Sequence, residues 1–206
     1  MSHSFIKRST AGFTLIELLV SIGIAMVILS VIVFNQSTYT DAAALAQDAD
    51  NLALVFSEQQ AYGVAVRQAG AGTSNFSYAY GLTASLTNST ASYVAFIDRD
   101  GSSNFTGAWN CDGSNVECDE ILNLSRGNYL YSVCPLTTEG VDCGSARRVD
   151  VTFLRPKATV SAFRFYDEAG QVVSVSNLVG AQIVLKSVKG RSRTVTFYQS
   201  GQVSVQ

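Results

Sequence analysis

From Phe13 to Phe34 the chain is apolar at almost every position, and Glu17 is the one ionisable side chain among those 22 residues. Such a run makes about 33 Å of α-helix, close to the thickness of a bilayer's hydrocarbon core, so residues 13–34 predict a membrane-spanning helix. No proline occurs from Phe13 to Gln68, and the only glycines there are Gly23 and Gly63, so one helix can continue past the membrane. The pattern changes beyond that run. Leu45, Leu52, Val55, Phe56, Tyr62 and Val66 recur at helical intervals, with Asp41, Asp48, Asp50 and Glu58 between them. Residues 35–68 therefore predict an amphipathic continuation whose apolar stripe packs on a globular head. The stripe is too short and irregular for a sustained coiled-coil heptad.

Gly70-Ala71-Gly72-Thr73-Ser74-Asn75 ends the helical pattern. Alternating valine, tyrosine, phenylalanine and threonine then predict strands at Phe76–Leu82, Tyr93–Ile97, Tyr129–Cys134, Arg148–Leu154, Ala162–Tyr166, Ala181–Lys186, Arg193–Tyr198 and Gln202–Val205. Gly170, Gly180, Gly190 and Gly201 are assigned to turns, and Asp98–Cys143 to an irregular insertion. Short consecutive strands with tight turns favour antiparallel sheets packed on the helix. The expected fold class is α+β, with a β-rich head over residues 69–206.

A charge inside a spanning segment is disfavoured by roughly 3 kcal/mol or more near the centre and less toward an end. Glu17, four residues past Phe13, therefore calls for a nearby positive partner. Upstream, residues 1–12 carry Lys7 and Arg8 and no acid, which keeps that end cytoplasmic and sends the remainder outward. An ordinary secretory signal ends in a small-residue cleavage site, and Val31-Ile32-Val33-Phe34-Asn35-Gln36 offers none.

A short basic leader, a glycine immediately before an apolar helix and an acid four residues beyond the following phenylalanine occur together in Gly12-Phe13-Thr14-Leu15-Ile16-Glu17-Leu18-Leu19-Val20. This stretch resembles the processing site of type IV prepilins and type II secretion pseudopilins. The resemblance implies that prepilin peptidase cuts after Gly12, removing residues 1–12, and that the new amino group of Phe13 is N-methylated. It implies that Glu17 pairs with the terminal amine of a neighbouring pilin, and that the subunit waits in the inner membrane before entering a pilus or pseudopilus. Phe96-Ile97-Asp98-Arg99-Asp100-Gly101, Gly190-Arg191-Ser192-Arg193-Thr194-Val195-Thr196-Phe197 and Ser200-Gly201-Gln202-Val203 are similar to the head of the GspH/FimT-like branch of minor pilins and pseudopilins. That branch often carries arginine after glycine in its last turn, where this chain has Gln202.

Net charge is −2 and unevenly spread. Between Asp98 and Cys143 eight acids face Arg99 and Arg126, while from Gly144 onward nine basic residues face Asp150, Asp167 and Glu168. Lys186, Lys189, Arg191 and Arg193 gather around one predicted turn. Gly190-Arg191-Ser192-Arg193 resembles the element that the DNA-uptake pilin of this branch uses on DNA, and phosphate neutralisation would give salt-sensitive binding. A solvated basic hairpin is the plainer reading. Cys111, Cys118, Cys134 and Cys143 lie on the segment expected outside the cytoplasm, where an even number suggests two disulfides. Sequential pairing is favoured because each bond closes a short loop. Zinc is disfavoured, because no C-x-x-C spacing occurs and the one histidine, His3, is in the leader.

Without a histidine after Gly12, the chain excludes Ser-His-Asp, Cys-His and H-E-x-x-H chemistry from its mature form, and no phosphate-loop pattern occurs. Asp98, Asp100 and Asn104 offer alternating oxygen ligands around Gly101, the spacing used for calcium, with an acid from the cysteine-rich insertion as a further ligand. The preferred reading of that segment is a polar β-turn, and no cofactor is required. Trp109 is expected in a packed core. The chain reads as a structural filament subunit, with DNA capture as the alternative.

Overall fold

The apolar stripe beyond residue 40 finds its cover: Leu45, Ala49, Leu52, Ala53, Val55 and Phe56 are buried against two antiparallel β-sheets. The computed structural model describes residues 12–65, 78–112, 117–154 and 159–206. The leader before Gly12, the Gly70–Asn75 breaker, Val66, Gln68 and the start of the strand expected from Phe76 lie outside these. Helix α1 is Leu15–Val64. Residues up to Thr40 form one compact unit and Asp41–Gln206 another.

The strands are β1 Ala79–Ser85, β2 Ser89–Asp98, β3 Cys118–Asn123, β4 Tyr129–Thr137, β5 Gly140–Val141, β6 Arg148–Phe153, β7 Ala162–Tyr166, β8 Val172–Val173, β9 Leu178–Lys186, β10 Ser192–Tyr198 and β11 Val203–Val205. The first sheet runs β3-β2-β1-β6-β7-β8 and the second β11-β10-β9-β4-β5. Phe56 joins them through the helix. Its ring stacks on Phe197 of β10 at 4.4 Å and meets Phe153 of β6 edge-on at 5.0 Å. The α+β expectation holds, with a long apolar N-terminal helix followed by a helical segment packed on antiparallel sheets.

Three expectations are corrected. The insertion over residues 98–143 is not irregular throughout: Cys118–Asn123 forms the edge strand β3, and Phe105 and Trp109 cover the outer face of the first sheet beside Val94, Phe96 and Ile121. The strand was hidden because Asp119 and Glu120 break the apolar alternation that marks a half-buried strand. Gly180 is not a turn residue. It sits inside β9, where a Cβ would collide with the Phe197 backbone of β10, so glycine is required by close approach. Asp48 is not on the solvated face of the helix. It is buried and accepts hydrogen bonds from the Ser125 amide at 3.0 Å, the Ser125 hydroxyl at 3.1 Å and the Asn128 side-chain amide at 2.7 Å.

Candidate functional site

At the N-terminal end, Thr14 precedes the first helical residue and Glu17 lies in the first turn, the spacing of a capping box. The Thr14 amide donates to Glu17 Oε2 at 3.1 Å and the Thr14 hydroxyl at 3.0 Å, while the Glu17 amide donates back to Thr14 Oγ1 at 3.3 Å. Among the described residues, the partner of Glu17 is the helix's own start rather than a positive group. Gly12 is not held there by the fold. A Cβ added to it would meet nothing within 4 Å, and its backbone is not left-handed. Phe13 is 83% exposed.

Leu15–Val33 has a mean hydropathy of 2.7 and is long and apolar enough to cross a membrane. None of it is buried within the chain. Such a surface needs lipid or other apolar helices around it.

Residues 7–33 match the family model of the prokaryotic N-terminal methylation motif. The chain therefore carries the class III signal motif of type IV pilins and pseudopilins and is pilin-like. No curated protein and no solved structure matches the chain.

The basic residues converge on the β9–β10 hairpin, where Lys186 pairs across from Ser192 and Gly190 turns with φ of 83°. They do not act as four equivalent charges. Lys186 Nζ lies over the Tyr131 ring at 4.3 Å, and Lys189 Nζ is 2.6 Å from Asp41 Oδ2. Arg126, which the sequence did not single out, reaches the other oxygen of Asp41 at 2.9 Å. These two cations, Lys189 foremost, hold the Asp41 carboxyl below its ordinary range. Arg191 and Arg193 are exposed, and neither forms an ion pair among the described residues.

The Asp98–Asn104 turn folds onto its own acids. Asp98 Oδ1 accepts from the amides of Gly101 at 2.8 Å and Ser102 at 3.1 Å, and its Oδ2 accepts from Ser103 at 2.9 Å. Asp100 accepts from the Ser102 amide at 2.8 Å and the Thr106 hydroxyl at 3.2 Å. The Asn104 main-chain carbonyl accepts from the Ser102 hydroxyl at 3.2 Å. Oxygens of Asp98, Asp100 and Glu117 come within 4.8 Å of one another, so the insertion contributes an acid to the cluster. Burial pushes the Asp98 carboxyl up, whereas the Ser102 hydroxyl and amide hold Asp100 down. Four of these hydrogen bonds, from the Gly101, Ser102 and Ser103 amides, close the turn on Asp98 and Asp100. Cys111 is joined to Cys118 and Cys134 to Cys143. The first bond ties the insertion to the start of β3, and the second ties the β5 side of the second sheet to β4.

Proposed function

We propose that this chain is a minor pilin or pseudopilin, a structural subunit that is cut after Gly12, methylated on the new amine of Phe13 and assembled into a filament through the Phe13–Phe34 segment. The observation that carries this reading is the coincidence of the methylation motif with an unburied apolar segment, Leu15–Val33, whose sole acid is Glu17. The open space around Gly12 adds support: a glycine that the fold does not need is accounted for by an enzyme that reads it. Two disulfides suit a head outside the cytoplasm. Within the class, β2 running into the Asp98–Gly101 turn and the glycine hairpin between β9 and β10 favour the GspH/FimT-like branch.

In this mechanism the chemistry belongs to the peptidase, and the subunit supplies geometry. After cleavage the Phe13 amine of an adjacent subunit gives Glu17 the counter-charge it lacks in the membrane, and that pairing sets the register of helix packing. Intact-mass and fragment analysis of the chain co-expressed with a prepilin peptidase tests the reading. A product beginning at N-methylated Phe13 supports it, and an uncut chain or a cut elsewhere overturns it. The alternative, DNA capture at the hairpin, has fewer cations at its disposal than the sequence suggested, because Lys189 is paired with Asp41 and Lys186 lies on Tyr131.

A further inference from the structure

Beside the helix, a cleft of about 380 Å³ is lined by Ala42, Leu45, Gly190, Arg191, Ser192 and Arg193. One side is helix carrying small and apolar side chains, and the other is a turn bearing two exposed guanidinium groups. Arg126 and Lys189 stand near it on either side of Asp41, which neutralises only one of them. The cleft is therefore electropositive with an apolar wall.

Its place along the chain is the second observation. Asp41 follows Val33, the last residue of the membrane-length run, by eight residues. Even fully extended, eight residues span no more than about 28 Å. Between them lies Tyr39, 72% exposed, an aromatic of the kind that settles at the membrane–water interface. Chain connectivity thus keeps the Ala42 side of the cleft within about 30 Å of the end of the membrane-length run.

We propose that this cleft seats the phosphate of an anionic phospholipid at the outer face of the membrane that α1 crosses. Arg191 and Arg193 supply planar donors to the phosphate oxygens. Ala42 and Leu45 lie against the glycerol end, where nucleic acid would place a sugar and a base. Duplex DNA presents a continuous line of phosphates, which a single pair of arginines beside an apolar wall matches poorly. The bound lipid would hold the head at the membrane until the subunit is extracted into a filament. This inference rests on the membrane-held reading above and adds a site to it.

The test uses the full chain in nanodiscs of phosphatidylcholine, alone or with increasing phosphatidylglycerol, read by hydrogen exchange of the amides from Gly190 to Thr194. Co-elution of the chain with the disc scores the membrane span separately, so failure of the span and failure of the cleft are distinguishable. The proposal expects several-fold slower exchange with phosphatidylglycerol and no change with phosphatidylcholine alone. Arg191→Gln together with Arg193→Gln should raise the phosphatidylglycerol needed by roughly thirtyfold, about fivefold for each charge removed near an anionic surface. Unchanged exchange of Ile183 and Leu185 in β9 shows that the variant is folded. Equal protection in both lipids overturns the proposal. So does protection by inorganic phosphate equal to that by phosphatidylglycerol, or protection by a DNA duplex added to phosphatidylcholine discs where phosphatidylglycerol gives none.

Discussion

One carboxylate oxygen of Glu17 accepts from both the amide and the hydroxyl of Thr14, so the acid of the membrane segment is satisfied locally before any second subunit arrives. The capping and docking roles of Glu17 can therefore be separated by substitution. Thr14→Val removes the hydroxyl half of the capping box, at about 1 kcal/mol of helix-start stability, and leaves the carboxylate available. It should be cut and incorporated nearly as well as the parent. Glu17→Ala should also be cut, yet its entry into filaments should fall by roughly tenfold or more, because the amine of the neighbouring subunit is left without its counter-charge. Immunoblots of sheared filament and membrane fractions read both. Equal incorporation of the two variants would reduce Glu17 to a helix cap.

Gly12→Val should leave an uncut precursor in the membrane. Nothing lies within 4 Å of the added Cβ, so the substitution does not disturb the subunit's own structure. Any loss of processing must then come from the enzyme's demand for glycine. Gel mobility beside a peptidase-negative control measures it, and normal processing would remove the basis for the prepilin reading.

Asp48 anchors the helix to the Ser125–Asn128 turn through three donors, one of them the buried side-chain amide of Asn128. Asp48→Ala strands the buried Asn128 amide, and a buried donor left without a partner costs about 1–3 kcal/mol. The midpoint of chemical denaturation of the head should fall accordingly, with Asp48→Asn intermediate because its amide oxygen still accepts. An unshifted midpoint for the alanine variant would mean that water replaces the lost acceptor.

Asp48 also shows why the sequence could be read only so far. Strand periodicity located most of the sheet segments, since Val151, Phe153, Ile183, Leu185, Val195 and Phe197 alternate as a half-buried strand must. Polar residues are assigned to the surface by the same logic, and that logic fails where a turn 77 to 80 residues away supplies the hydrogen bonds. The short strands β5 and β8 have two residues each, too few for any alternation to register. At the N-terminal end the methylation motif was legible because the residues that compose it are contiguous in the chain. The partnership of Arg126 and Lys189 on Asp41 was not, because it joins three remote segments.

That partnership predicts a pH dependence. Lys189 and then Arg126 lower the Asp41 carboxyl, so the folded state binds its proton less readily than the unfolded chain does. Its stabilising contribution is present above the unfolded carboxyl value of about 3.9 and is lost as pH falls through the lower folded value. The difference in melting temperature between the parent and Asp41→Asn should therefore be constant above about pH 5 and shrink on acidification. A difference that grows toward low pH would contradict the assignment.

Asp150 is fully buried and holds the insertion to the first sheet from both sides. Its Oδ1 accepts from Arg148 Nε at 2.8 Å and its Oδ2 from the Phe105 amide at 2.9 Å. A second guanidinium nitrogen of Arg148 contacts both Asp150 and the Phe105 carbonyl, and the guanidinium lies over the Tyr166 ring at 4.7 Å. Breaking such a pair by removing one member leaves an uncompensated buried charge, at about 3–5 kcal/mol, whereas replacing both members with apolar residues is often neutral. Asp150→Leu alone should therefore lower the denaturation midpoint strongly, and Arg148→Met with Asp150→Leu should recover most of the loss. Recovery of stability should not restore the insertion, because the Phe105 amide still lacks its acceptor. Trp109, the chain's one tryptophan, packs edge-on to Phe105 at 6.0 Å and donates to Ser92 Oγ at 3.1 Å, so its emission reports that docking directly. The double variant should be stable with red-shifted Trp109 emission, and parent-like emission would show that the aromatic contacts alone keep the insertion in place.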